Sequence, residues 1–178
     1  YSRPGNIGKS RSYGFNVNAQ IPFAKWLSSN IYSEVNYAEF ESQLYTENLN
    51  SSGAYWYISV TNQLKLDKNW SAEVSGTYQT KVTSSQFVLG ASGNINIGIQ
   101  KKILKGQGSL KLSGNDIFMG NIHTGTINNL RLTDATWINK PDSRALILAF
   151  TYSFGKAFQP KNEYDATGAD SEKNRVKG

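Results

Sequence analysis

Hydrophobic and polar residues alternate with a period of two along most of this chain. Between positions 13 and 23 the odd residues are apolar, and the even ones are mostly glycine, asparagine or glutamine. Similar alternation recurs in segments 27–37, 56–66, 72–79, 95–100, 110–113 and 145–154. A period of two is that of a β-strand with two chemically different faces. The chain is therefore predicted to be all-β, with seven clear strands.

The connections between these segments are alternately short and long. The short ones are AKW, LDKNW and KKILKGQG, and the long ones span residues 41–53, 80–86 and 116–141. An antiparallel up-and-down meander, with tight turns at one end and long loops at the other, produces this alternation. We interpret residues 116–141 as a long excursion, partly a hairpin extension. The stretch 130–137 within it is a candidate eighth strand.

The last alternating segment, ALILAFTYSFGK, is the most apolar run in the chain. Large side chains occupy one face and small ones the other. Tryptophans in the short turns add amphipathic rings at strand ends, where a boundary between membrane and water would place them. We predict that the following residues face lipid or its interface: Trp26, Trp70, Leu146, Leu148, Phe150, Tyr152 and Phe154.

The polar face consists mainly of Asn, Gln, Ser, Thr and Gly. Charged residues make up only 18% of the chain and concentrate in turns, loops and the C-terminal region. The hydrated lumen of a membrane barrel has this character, whereas a soluble sheet usually carries Lys and Glu on its outer face. Alternation alone leaves both open, since a soluble sheet with one face in a core also alternates. The chain contains no run of about 18 apolar residues, the length that a membrane helix requires, so no membrane helix is predicted.

Charge and motifs exclude several function classes. The net charge of +6 comes from scattered lysines without an arginine-aromatic stripe, so we expect no nucleic acid partner. Cysteine is absent, and His123 is the single histidine. Hydrolase, phosphate-binding and metal-binding motifs are missing. We therefore expect no catalytic residues, no metal, no cofactor and no enzymatic activity.

The long connections contain polar residues of the kind that contact ligands. Tyr45, Asn48 and Asn50 lie in the first, and His123 lies in the third. An ordinary loop role is the alternative for each of them.

Several segments, taken in order, resemble the C-terminal part of the outer-membrane β-barrel of TonB-dependent receptors, in the form typical of Bacteroidota. They are NIGKSRSYGFNVNAQ, GTYQTK, INIGIQKKILKGQGSLKLSGNDIF, NKPDSRALILAFTYSFGK and DSEKNRVKG. The resemblance implies periplasmic short turns, extracellular loops and a closing aromatic strand. The plug and energy-coupling segments of that family have no counterpart here, and a tail follows the aromatic strand, which many outer-membrane proteins lack.

On this basis we expect residues 1–158 to be a C-terminal barrel segment and residues 159–178 a polar, disordered tail. The whole molecule would import a metal chelate, oligosaccharide or peptide across the bacterial outer membrane. The resemblance implies outer-membrane lipid, the barrel-assembly machinery, the TonB complex acting through the plug, and the nutrient as partners. Two alternatives remain: a small closed outer-membrane barrel acting as adhesin or structural protein, and a soluble carbohydrate-binding β-sandwich.

Overall fold

A computed structural model describes residues 8–44, 47–48, 50–130 and 133–154. Its strands are β1 (Gly8–Ala24), β2 (Leu27–Leu44), β3 (Glu47–Asn48), β4 (Ser51–Lys65), β5 (Trp70–Gln79), β6 (Val82–Ser84), β7 (Phe87–Leu89), β8 (Ser92–Ile103), β9 (Gly108–Asn115), β10 (His123–Leu130), β11 (Thr133–Asn139) and β12 (Ala145–Tyr152). No helix in these ranges is long and apolar enough to cross a membrane. The expected tail and its boundary at residue 158 lie outside the described residues.

Seven strands form one antiparallel sheet, which we call the wall. Its order is β1-β2-β4-β5-β8-β9-β12, and the short strand β3 adds to β2. Each strand of the wall pairs with the next one along this path, in antiparallel fashion. The predicted all-β meander is therefore confirmed. Within the described residues β1 and β12 are not paired with each other, so the sheet is open.

The three tight turns of the wall are neighbours at one end of the sheet. Residues 25–26 join β1 to β2, residues 66–69 join β4 to β5, and residues 104–107 join β8 to β9. The backbone N–H of Lys65 donates to the carbonyl of Trp26 at 2.8 Å, and that of Lys102 donates to the carbonyl of Asn69 at 2.8 Å. These bonds link each turn to the next.

The two later long connections build a second sheet at the other end of the wall. Its order is β11-β10-β7-β6. The candidate eighth strand belongs to this sheet, because β11 pairs with β10, and β10 pairs in turn with β7. The first long connection is shorter than expected, since β2 continues to Leu44 and β4 already begins at Ser51.

Candidate membrane interface

The cross-strand register places the apolar positions of neighbouring strands side by side. Side chains alternate between the two faces of a strand. Once one residue of a strand is assigned to a face, the faces of all its other residues follow. One row of paired apolar positions runs across six of the seven strands through Leu148, Leu112, Ile99, Ala72, Leu64 and Leu27. We call the surface that contains this row the apolar face, and the opposite surface the polar face.

The large side chains of β12 project from the apolar face with little cover. The exposed fractions of Leu146, Leu148 and Phe150 are 78%, 72% and 60%, and that of Phe154 is 90%. Tyr152 packs edge-on against Phe154, with ring centroids 4.6 Å apart. Exposed apolar side chains in contiguous rows are unusual on a protein surface in water. Their contact with lipid stays a prediction.

Of the two predicted interfacial tryptophans, Trp26 lies in the turn between β1 and β2, and Trp70 is the first residue of β5, directly after the neighbouring turn. Trp26 is 54% exposed, whereas Trp70 is half-buried beneath a lysine. The Nζ atom of Lys101 lies 4.9 Å from the centroid of the Trp70 ring, a cation–π distance.

Aromatic residues of the apolar face fall into two groups at its two ends. The group at the long-loop end comprises Tyr13, Phe15, Tyr37, Trp56 and Tyr78, and the group at the turn end comprises Phe23, Trp26, Trp70, Tyr152 and Phe154. Phe15 and Phe23 on β1, like Trp70 and Tyr78 on β5, are eight positions apart. At about 3.4 Å per residue this is about 27 Å along a strand. Tilted by about 40°, it approaches the height of the apolar band of an outer-membrane barrel.

Two tyrosines that are adjacent in sequence to an apolar-face tryptophan lie on the polar face. Tyr55 and Tyr57 flank Trp56 on β4, and only Trp56 belongs to the apolar face. The hydroxyls of Tyr32 and Tyr55 both donate to the Glu34 carboxylate, at 2.6 Å and 2.8 Å. The sequence offered no signal for this cluster beyond the parity of the positions.

Polar side chains on the apolar face are hydrogen-bonded to one another. The Ser29 hydroxyl, in a residue only 2% exposed, donates to the amide oxygen of Asn62. The Trp56 indole N–H donates to the Ser33 hydroxyl at 2.8 Å. An unpaired polar group in hydrocarbon is costly, so these pairs suit a surface without water.

The polar face forms a cleft near the long-loop end of β8 and β9. Its volume is about 370 Å³, and both a carboxylate, Glu73, and an ammonium, Lys111, line it together with neutral polar side chains. The remaining polar lining includes Ser75, Asn94, Asn96, Ser113, Asn115 and Asn121. Such a surface suits a hydrated lumen.

Asp116, which sequence reasoning did not single out, lies at one end of this cleft and joins three parts of the chain. Its carboxylate accepts hydrogen bonds from the backbone N–H groups of Gly120 at 2.8 Å and Asn121 at 3.2 Å, and from the Ser143 hydroxyl. Its own backbone N–H donates to the amide oxygen of Asn96 at 2.9 Å. An aspartate directly after a strand is a turn signal, but its distant partners are visible only in the fold.

The surroundings of Asp116 stabilise its ionised form. The hydrogen bond from the Ser143 hydroxyl is the main cause that holds the pKa of Asp116 below its usual value. Burial acts in the opposite direction, while the N–H groups of Gly120 and Asn121 and the charge of Arg144 lower the pKa further. The carboxylate therefore stays charged at neutral pH.

The predicted ligand-contact residues do not form one site in the described structure. Tyr45 lies outside the described residues, and Asn48 is described only by its backbone, which pairs with Gln43. The Asn50 side chain accepts a hydrogen bond from the backbone N–H of Ser42. His123 is exposed and begins β10, in the second sheet. Within the described residues no three His, Asp or Glu side chains form a metal-binding group.

An antiparallel meander with one apolar face, one polar face and aromatic groups at both ends defines the wall of a transmembrane β-barrel. Residues 1–152 match the model of the outer membrane protein beta-barrel family, and the chain belongs to that family. This membership confirms the predicted location in the bacterial outer membrane. Comparisons with curated proteins and with solved structures gave no match.

Proposed function

We propose that this chain is the C-terminal barrel segment of a TonB-dependent receptor-like transporter, which imports a metal chelate, an oligosaccharide or a peptide. The observation that carries the proposal is the direction of the two edges of the wall. Because seven antiparallel strands lie in sequence order, β1 and β12 both run from the long-loop end to the turn end. Direct pairing of these edges would be parallel.

Open edges are costly in a bilayer. Unpaired N–H and C=O groups find no water in the hydrocarbon, so a spanning sheet closes on itself. Bacterial single-chain barrels close with antiparallel strands in even number. An odd number of further strands is therefore needed to complete this wall. The candidate eighth strand, β11, pairs in the second sheet instead, which supports a larger barrel over the small closed barrel acting as adhesin.

The wall and the second sheet have different roles in the proposed barrel. The wall contributes a surface toward lipid, and the polar face with its cleft contributes to a hydrated lumen. The second sheet, at the long-loop end, is the part that would meet a ligand outside the cell. The barrel-assembly machinery and the TonB complex, the latter acting through a plug, are the partners of this proposal, and no step of it is catalytic.

Growth of a deletion strain tests the transport function. The mutant is grown with iron chelates, oligosaccharides or peptides as the limiting nutrient, with wild-type complementation as the control. We expect a defect with one nutrient class, and the same defect in a strain that lacks the energy-coupling complex. Normal growth on all three classes, or uptake that resists a protonophore, would refute the proposal.

A complementing variant locates the function within the chain. Residues 123–139 are replaced by a short turn, which removes β10 and β11 but none of the wall strands. We expect normal amounts of heat-modifiable barrel in the outer membrane and loss of uptake. Full uptake by this variant would show that the second sheet is not required for ligand uptake.

A further inference from the structure

The three tight turns of the wall share a composition that the transport function does not explain. They carry four exposed lysines within them or beside them on the apolar face: Lys25, Lys68, Lys101 and Lys105. We call this set the basic rim. The long-loop end, in contrast, carries acidic and basic residues together, as in the ion pair of Arg11 with Glu41 at 3.5 Å.

Acidic residues in the described chain do not neutralise the basic rim. No rim lysine has a carboxylate within ion-pair distance among the described residues. Asp67 is the single acidic residue within these turns. One oxygen of its carboxylate accepts hydrogen bonds from the backbone N–H groups of Asn69 at 2.6 Å and Trp70 at 2.8 Å. Asp67 therefore stabilises the shape of its turn.

Each turn also presents a large apolar side chain beside its lysines. Trp26, Leu66 and Leu104 occupy the three turns in order, and each is 54% exposed. The third turn holds Leu104 and Lys105 at φ angles of 52° and 55°, in the left-handed region that costs energy for residues other than glycine. Apolar groups beside ammonium groups match the boundary between acyl chains and lipid headgroups.

We propose that the basic rim is a binding surface for anionic phospholipid headgroups of the periplasmic leaflet. Short turns of outer-membrane barrels lie on the periplasmic side. There the ammonium groups meet phosphodiester groups, while Trp26, Leu66 and Leu104 enter the acyl region. The hydrogen bonds that join neighbouring turns make the rim continuous over three turns. The cation–π contact with Trp70 holds the Lys101 ammonium group next to the turns.

Fluorescence quenching by brominated lipids tests this proposal on the full-length protein in bilayers. Two of this chain's four tryptophans, Trp26 and Trp70, lie at the rim, and the quenching that is lost in the double variant Trp26→Phe with Trp70→Phe is the signal of these two reporters. Quenching is compared between brominated phosphatidylglycerol and brominated phosphatidylethanolamine, and the ratio gives their relative association constant. We expect a preference for phosphatidylglycerol that falls as NaCl is raised, because ions screen exposed charges.

A charge-removal variant and a matched control identify the lysines responsible. The rim variant is Lys25→Gln, Lys68→Gln and Lys105→Gln. The control removes three lysines at the long-loop end with Lys9→Gln, Lys81→Gln and Lys140→Gln, so the net charge changes equally. Each basic residue near an anionic surface contributes on the order of a fivefold factor. We expect the preference to fall at least fivefold in the rim variant and to persist in the control.

Heat-modifiable mobility in gels and protease resistance show whether each variant is folded. If the rim variant fails to fold, Lys68→Gln alone replaces it, with a fall of about fivefold expected. Equal binding of the two lipids by the wild type would overturn the proposal. So would an equal loss of preference in the control variant, or a preference that salt does not change. None of these outcomes bears on nutrient uptake, so the two proposals stand or fall separately.

Discussion

Leu148 and Ala149 are consecutive residues with opposite surroundings. Leu148 belongs to the apolar face, and Ala149 is paired with Lys111 on the polar face. An arginine at the bilayer midplane destabilises a barrel by about 2–4 kcal/mol. We expect Leu148→Arg to cost about that much in urea unfolding from lipid vesicles and Ala149→Ser to have little effect. Similar costs for both substitutions would mean that the two faces are assigned wrongly.

Ser29 and Asn62 form a polar pair on the apolar face, and their coupling can be measured. Ser29→Ala removes the donor and leaves the Asn62 amide without it, which we expect to cost about 1–3 kcal/mol. The double variant Ser29→Ala with Asn62→Leu removes both polar groups, and we expect it to recover most of the loss. A double-mutant cycle by urea unfolding checks this. Additive losses would show that the two side chains do not stabilise each other.

At the scale of elements, Asp116 connects the end of β9 to the segment that precedes β12. Since its pKa is lowered in the folded state, its stabilising effect is complete above the ordinary pKa of an aspartate. The effect is lost as pH falls through the lowered value. We expect proteolysis of the 116–144 segment to rise below about pH 4, and expect Asp116→Asn to be cleaved readily at neutral pH also.

Limited proteolysis between pH 3 and 7 with an acid-tolerant protease, followed by mass spectrometry, makes this measurement. Asp142→Asn is the matched control, because Asp142 is exposed and its recorded partner is Arg144 at 3.3 Å. If proteolysis of Asp116→Asn depended on pH in the same way as that of the wild type, Asp116 would not be the residue that holds the 116–144 segment in place.

The second sheet shows why loops are harder to predict than membrane strands. The sequence indicated a hairpin within residues 116–141, but not that β10 would pair with β7 from another connection. Trp137 covers Gly125 so closely that a Cβ atom there would overlap its indole ring, and Phe87 packs against that ring nearly at a right angle. These contacts join segments that are distant in sequence, so the alternation of residues within one segment does not predict them.

At the scale of the whole molecule, the orientation of the wall is open to direct measurement. The chain contains no cysteine, so each introduced cysteine adds one reactive site to it, and labelling of the unsubstituted protein gives the background. We expect Asn139→Cys, at the long-loop end, to react with a membrane-impermeant maleimide in intact cells. Asn69→Cys, in a tight turn, is expected to react only after the outer membrane is opened. The reverse labelling pattern would show that the barrel has the opposite orientation and that the basic rim lies at the outer surface of the membrane.

The sequence by itself determined the period of two, the strands of the wall and the chemical difference between their faces. These are local properties, because a residue's face depends on its parity within its own strand. Only the tertiary structure decided the register, which gathers the polar pairs and places Tyr55 beside Glu34. It also decided that residues 133–139 complete the second sheet and leave the wall open at seven strands. The register between two strands depends on contacts across the chain, and alternation within one strand does not show which of its residues meet those of the neighbouring strand.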